Sequence, residues 1–330
     1  MASRRILDSA IGAVVGALVG DAAGAPLEFL GRLPEAAEIE RALGMEGGGV
    51  WGVAPGQITD DGELTISLLR ALGAAGRFDL ESIAGEYRRW FASAPFDVGG
   101  TIGSTIGRAE DAAGMREAAL DHVDSKANGS LMRCVPLGVW GSERPLDELA
   151  EAARLESSLS HANPSCMDAV ACYVTAIALL VRGAGDGVAV FDEVRAWAGG
   201  NVCEEVRGWL ALARGDADVP GTPQDGFVKI AFVHALRHLR RGTPYLDAIR
   251  SVLAIGGDTD TNACIVGGLV GASVGFAGIP EAMRRAVLES DTSLGRPRPD
   301  WLRAGHAPEL VARLVGGDAA GGSDLTDRVV

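Results

Sequence analysis

Two short stretches hold the residues best suited to chemistry. In "PGQITDDGEL", residues 55–64, Thr59, Asp60 and Asp61 stand in a row. In "GGDTDTNACIVGG", residues 256–268, Asp258, Thr259, Asp260 and Thr261 do the same. The two clusters offer four carboxylates and several hydroxyls, and neither contains a histidine or a cysteine. That is the donor set of a hard cation such as Mg²⁺ or Mn²⁺. One ion does not need four carboxylates from two distant segments, whereas two ions roughly 3.5–4 Å apart would use them well.

The competing explanation is helix capping. Each cluster directly precedes an apolar periodic run, so Thr59 or Asp60 would serve as N-cap, with Glu63 closing a capping box from Asp60. A cap needs one suitable residue, however, and does not call for Asp-x-Asp-Thr after Gly-Gly. Helix N-termini carry about half a positive charge, which disfavours a cation, but the local carboxylates outweigh it.

Three other polar stretches stand out. "GDAAGAPLEF", residues 20–29, sets Asp21 and Glu28 around a turn of small residues; alone, Glu28 reads as a solvated loop carboxylate. "NGSLMR", residues 128–133, is a polar turn entering an apolar run, and "SHANPSCMDA" places His161 at a helix end before Pro164. His234 and His238 have zinc-like spacing, but Ala235 stands where a zincin glutamate would be. Arg237 and Arg241 share that face, so a solvated basic helix end is expected there. The six tryptophans are expected to fill the core, with Trp51 alternatively walling a cleft beside Thr59.

The elements that must position these residues are helical. Apolar residues recur at three-to-four spacing over 4–20, 63–75, 79–92, 147–160, 166–183, 226–241, 245–255, 261–277 and 281–289. Period-two alternation is lacking, with room for at most a short strand near 48–53. Two helices carry glycine ladders: Gly12, Gly16 and Gly20 in one, Gly267, Gly271 and Gly275 in the other. Each interior glycine costs up to roughly 1 kcal/mol relative to alanine. Close approach of two central helices is the natural compensation. The pattern predicts one compact all-α domain over 1–315, followed by a disordered tail at 316–330.

The bulk numbers fit a globular chain: 330 residues, 47% hydrophobic, 22% charged and a net charge of −14. Such an acidic chain is poorly suited to nucleic acid or an anionic membrane as its main partner. It can still bind a phosphorylated ligand with help from cations or helix N-termini. The five cysteines lack CxxC spacing and read as reduced core residues of a cytoplasmic protein. The N-terminus imitates a signal peptide, but Asp8 and the regular glycines argue for a packed helix instead. No uninterrupted apolar run of 18 residues is present, so no membrane span is expected.

With "PFDVGGT" at residues 95–101, these stretches resemble the ADP-ribosylglycohydrolases. The likeness is strongest to the bacterial branch typified by dinitrogenase reductase-activating glycohydrolase. The matching motifs follow the family's order from residue 20 to residue 272. The resemblance implies a single orthogonal all-α domain around a central binuclear Mg²⁺ or Mn²⁺ site. It implies metal ligation by Thr59, Asp60, Asp61, Asp258, Asp260 and Thr261. Glu28 would lie near the scissile bond and Asp97 beside the ribose. With Asp61 and Asp258 these two make up the implied catalytic set. Gly100, Thr101, Asn128, Gly129 and Ser130 would line the diphosphate and distal ribose, with His161 in the same cleft.

Two residues depart from the family's pattern: Gly62 replaces a usual threonine, and Leu131 a smaller residue. The implied reaction frees ADP-ribose from modified arginine on a protein, the expected partner being that protein or a small-molecule ADP-ribose conjugate. A different acceptor (serine, a nucleobase or a small molecule) is the alternative reading, as is a non-catalytic ADP-ribose-binding or structural homologue. A monomer is expected.

Overall fold

Helices form over the nine periodic stretches, and also at 36–43, 100–105, 112–120, 135–140, 187–201, 204–214 and 307–316, where the apolar spacing predicts none. The computed structural model describes residues 2–316, so the tail expected at 316–330 lies, from residue 317 on, outside the described residues. The first half contains α1 (Ala2–Gly24), α2 (Ala36–Leu43), α3 (Asp60–Ala75), α4 (Leu80–Ala92), α5 (Gly100–Thr105), α6 (Ala112–Leu120), α7 (Val135–Trp140) and α8 (Leu146–Ser157). The second contains α9 (Pro164–Arg182), α10 (Gly187–Asn201), α11 (Glu204–Arg214), α12 (Val228–Arg241), α13 (Tyr245–Ala254), α14 (Thr259–Val274), α15 (Glu281–Leu288) and α16 (Ala307–Gly316). The described residues form no strand. The region near 48–53 holds only an isolated bridge between Gly48 and Val53.

α1 and α14 form the centre, and their glycines face each other. A Cβ built on Gly12 would lie 2.5 Å from the carbonyl oxygen of Gly271. At Gly16 and Gly20 it would overlap the carbonyl oxygens of Gly267 and Ala263, and at Gly24 the backbone of Asp260. One partner advances by three or four residues as the other retreats, so the helices run antiparallel. Side chains add hydrogen bonds to this seam: Ser9 Oγ donates to Ala272 O at 2.6 Å, and Tyr245 Oη to Gly16 O at 2.6 Å. Tyr173 Oη donates to Ile265 O at 2.7 Å.

Gly275 closes this seam through its backbone, since a Cβ on Gly12 would lie 2.6 Å from its carbonyl carbon. It caps α14 with φ +75°, and the Asp8 carboxylate packs where its side chain would be. The Asp8 that interrupts the apolar N-terminus is thus a partner for the far end of α14.

Burial explains two apolar helices that would otherwise resemble membrane spans. Ser3–Leu27 and Pro164–Arg182 are long and apolar enough by composition, but 83% and 89% of their most apolar windows are covered by the rest of the chain. All five cysteines are unpaired, four of them buried.

Two expectations need correction. His234 and His238 are buried rather than solvated; their rings stack, and His234 Nε2 lies 2.8 Å from Val219 O. Arg237 is buried too and donates to the carbonyls of Leu212 and Ala217, fastening the loop after α11. Trp90 and Trp209 are buried and Trp140, Trp197 and Trp301 pack half-buried against the core, whereas Trp51 lies outside it.

The helix seam generates a paired test. Gly16→Ala should lower stability in urea unfolding by about 2 kcal/mol or more through overpacking, although alanine is the better helix former. Gly73→Ala, helical with open space around it, should raise stability by about 0.5–1 kcal/mol. Similar shifts for both would refute a seam sized for glycine.

Candidate metal centre and cleft

The seam brings three helix ends together. Gly24 against Asp260 places the C-terminal turn of α1 beside the N-terminus of α14, and Thr259 Oγ1 donates to Gly24 O at 2.9 Å. α3 joins through Asp21 of α1. That carboxylate accepts the N–H of Thr59 at 3.0 Å, the N–H of Gly62 at 2.9 Å and the Thr59 hydroxyl at 2.8 Å. α3 is therefore capped from another helix. Thr59 and Asp258 occupy N-cap positions, yet neither side chain makes a cap bond. The capping box from Asp60 to Glu63 does not form either. Glu63 instead accepts from Trp90 Nε1 at 2.7 Å and pairs with Arg298 at 2.7 Å. Capping does not explain these clusters.

Freed from capping, the oxygens converge. Asp21, Asp61 and Asp260 each place a carboxylate oxygen within 4.8 Å of the others, and Glu28, Asp258 and Asp260 form a second such group. The two groups share Asp260. Hydroxyls of Thr59 and Thr261 point at Asp61 Oδ2 from 3.3 and 3.4 Å, while Asp61 Oδ1 is buried without a partner. Asp60 stands beside both groups, its Oδ2 facing Gly99 N–H at 3.4 Å.

Electrostatics reports the same crowding. Burial pushes Asp21 up to about 7, against the lowering effect of its Thr59 and Gly62 hydrogen bonds. Burial and the neighbouring carboxylates raise Asp60, Asp61 and Asp260 well above the ordinary range. No lysine or arginine among the described residues pairs with any of the five aspartates of the cluster (21, 60, 61, 258 and 260). Hard oxygen donors, an unpartnered buried carboxylate oxygen and unrelieved like charge all suit a divalent cation. The C-terminal end of α1 adds partial negative charge.

Above this floor lies a cleft of about 480 Å³. Glu28, Asp60, Asp97, Asp258, Asp260 and Thr261 line it together with a second set, Gly100, Thr101, Asn128, Gly129 and His161. Asn128 Nδ2 bridges the two by donating to Asp258 Oδ2 at 2.8 Å. Burial and the Asp97 charge push Glu28 up to about 8, and burial with the Asp258 charge pushes Asp97 up to about 6. His161 is pushed down to about 3 by burial and Arg133, so it is a neutral imidazole whose Nε2 lacks a partner. Below the polar wall, Arg133 donates to Glu156 Oε1 at 2.7 Å and to Gly129 O at 3.3 Å, anchoring the 128–133 turn from inside the core.

Some expected residues sit elsewhere. Thr59 and Asp61 lie beneath the cleft floor, fully buried. Ser130 lies behind the wall, accepting from Ser157 Oγ at 2.9 Å. Leu131 is fully buried in the core and does not shape the cleft. Gly62 has a positive reason: a Cβ there would lie 2.6 Å from Asp21 Oδ2 and push it from its cap. Asp21 itself was visible only as one carboxylate of "GDAAGAP". It follows Gly20 of the ladder directly, which is the one clue to its depth. Glu63 and Arg298 carried no sequence pattern that joined them.

A helical fold with a buried carboxylate cluster under an open cleft defines the class. The family model described as ADP-ribosylglycohydrolase matches residues 2–321, and the chain belongs to that family. It is 30% identical over 286 residues to the ADP-ribosyl-[dinitrogen reductase] glycohydrolase of Rhodospirillum rubrum, covering 85% of this chain and 90% of that one. It is 25% identical over 316 residues to the ADP-ribosylarginine hydrolase Tri1 of Pseudomonas putida (strain GB-1), covering 94% and 82%. A solved structure titled ADP-ribosylglycohydrolase-related protein complex superposes with a TM-score of 0.76 at 25% identity, covering 95% of this chain and 99% of that one.

The raised carboxylates predict an inverted pH dependence for the chelated protein. Folded Asp21, Asp97 and Glu28 hold protons, up to about 6–8, that the unfolded chain releases near the ordinary carboxylate range. Stability without metal should therefore fall as pH rises through that window. Thermal melts in chelator should drop between about pH 5 and pH 8, and excess Mg²⁺ or Mn²⁺ should raise the melting temperature most at the upper end. A flat chelated profile with no metal response would contradict the cluster's assignment.

Proposed function

We propose that this chain hydrolyses the glycosidic bond between ADP-ribose and an acceptor, with arginine of a modified protein as that acceptor, using two Mg²⁺ or Mn²⁺ ions. One observation carries the reading: two carboxylate groups sharing Asp260, one buried and one half-buried, meet at a cleft that Glu28 and Asp97 line. Thr59, Asp60, Asp61, Asp258, Asp260 and Thr261 would hold the ions, with Asp21 as a further carboxylate of the first group. Bound there, divalent ions supply Lewis acidity and a template for sugar hydroxyls and water.

The remaining chemistry belongs to the chain's own residues. Cleavage at an anomeric carbon passes through an oxocarbenium-like state, requiring a proton for the departing acceptor and a base for the incoming water. Without metal, burial and neighbouring carboxylates push Glu28 up to about 8 and Asp97 up to about 6, so the two carboxyls differ in proton affinity. One member can donate while the other accepts. Water's oxygen ends on the ribose carbon, and the acceptor leaves with a proton. Gly100 has open space around it, which leaves room for a diphosphate near Thr101, whereas His161 and Ile102 pack where a side chain on Gly129 would stand. Neutral His161 offers a hydrogen-bonding edge to the same ligand without taking part in proton transfer. The names of the Rhodospirillum and Pseudomonas relatives support ADP-ribosylated protein as the substrate class.

The deciding experiment presents ADP-ribosyl-arginine, ADP-ribosyl-serine and small-molecule conjugates and measures free ADP-ribose, with Mg²⁺ or Mn²⁺ and with chelator. Metal-dependent release from the arginine conjugate is expected. Cleavage of another conjugate alone would move the acceptor assignment, and binding of ADP-ribose without any cleavage would mark a binding protein. Asp61→Asn combined with Asp258→Asn should lower kcat at least about 100-fold by disabling the ion pair. Full activity in that double variant would end the metal-centred mechanism.

A further inference from the structure

Glu28 stands at the cleft rim, but what holds it there lies outside the cleft. Trp51 Nε1–H donates to Glu28 Oε2 at 2.8 Å, while Trp51 itself is not part of the cleft lining. The next residue, Phe29, adopts φ +58°, a left-handed conformation that is strained for any residue with a bulky side chain. Phe29 is 67% exposed, so burial does not pin it. Its ring meets Trp51 edge-on, with centroids 6.0 Å apart. On its other side Trp51 meets Phe96, the residue before Asp97, at 5.9 Å.

The indole is placed by its own turn. Gly48 and Val53 exchange backbone hydrogen bonds of 2.8 and 3.0 Å, closing the loop that carries Trp51. Gly49, at φ +70°, packs so closely on Pro26 that a Cβ would lie 2.6 Å from the proline Cα. The loop is thereby pressed against the turn that ends in Glu28. A tryptophan used only to fill space would not need its N–H aimed at a carboxylate between two flanking rings.

We infer that Trp51 is a positioning residue: its N–H fixes the Glu28 carboxylate beside Asp258 and Asp260, and its ring locks the strained turn at Phe29 to the segment carrying Asp97. This rests on the reading that Glu28 acts on the glycosidic bond. Trp51→Phe keeps the ring contacts and removes the donor. On the conjugate that the wild type cleaves, kcat should fall about tenfold or more, with KM within about twofold and the melting temperature unchanged. On a Glu28→Ala background the same substitution should cause no further loss, because the group it positions is gone. Wild-type kcat in Trp51→Phe, or an equal loss on both backgrounds, would overturn the assignment. Should Trp51→Phe not fold, Phe29→Gly loosens the same turn while suiting its backbone; its kcat should fall, and an unchanged kcat would overturn the assignment. If the wild type cleaves no conjugate, the functional reading fails separately. A crystal structure of Trp51→Phe then decides: a displaced Glu28 carboxylate supports the role of Trp51, and an unmoved one overturns it.

Discussion

Backbone meets backbone where α1 crosses α14, and the site depends on that approach. Carbonyl oxygens of one helix occupy the space where side chains of the other would stand, from Gly12 to Gly24. The seam sets the separation of two helices and, at its end, puts Asp21 beside Asp260. A wider spacing by one methyl layer would part the carboxylates that now crowd together. The glycines reduce helix propensity, and close packing with hydrogen bonds from Ser9, Tyr173 and Tyr245 compensates.

That rigidity matters because the cluster repels itself. Elsewhere the fold pairs its buried charges: Arg133 with Glu156, and Arg298 with Glu63. The aspartates under the cleft receive hydroxyls and backbone N–H groups but no cationic side chain. Buried like charges of this kind would spread or protonate in a soft environment. Holding them on helix ends fixed by the seam keeps a concentrated negative potential at the base of an open cleft.

Much of this was legible in the residues, for identifiable reasons. Long helices such as α9 and α12 showed themselves because one apolar stripe repeats over several turns. α5 and α7 did not, since six residues span less than two turns and give no periodicity to read. The carboxylate clusters were legible because two such rows exceed what caps require. Their partners were harder: Asp21 is a single acid in a helical stretch, and its role depends on a contact with Thr59 thirty-eight residues away. Arg298 finds Glu63 across 235 residues, a pairing no local pattern encodes. His234 and His238 misled because basic neighbours usually mean solvent, whereas Arg237 is itself buried on backbone carbonyls.

The antiparallel seam also governs how the chain reaches its native state. α1 is made first and α14 follows more than two hundred residues later, with Thr259 and Gly24 separated by 235 positions. Until then α1 is an apolar helix with its glycine face uncovered, and a ribosome adding about 5–20 residues per second leaves it so for roughly ten seconds or more. The carboxylate floor cannot assemble during that interval, because its halves belong to opposite ends of the fold. Such long-range closure slows folding and exposes the intermediate to aggregation. The central helix is thus well covered in the finished molecule and exposed in the growing one.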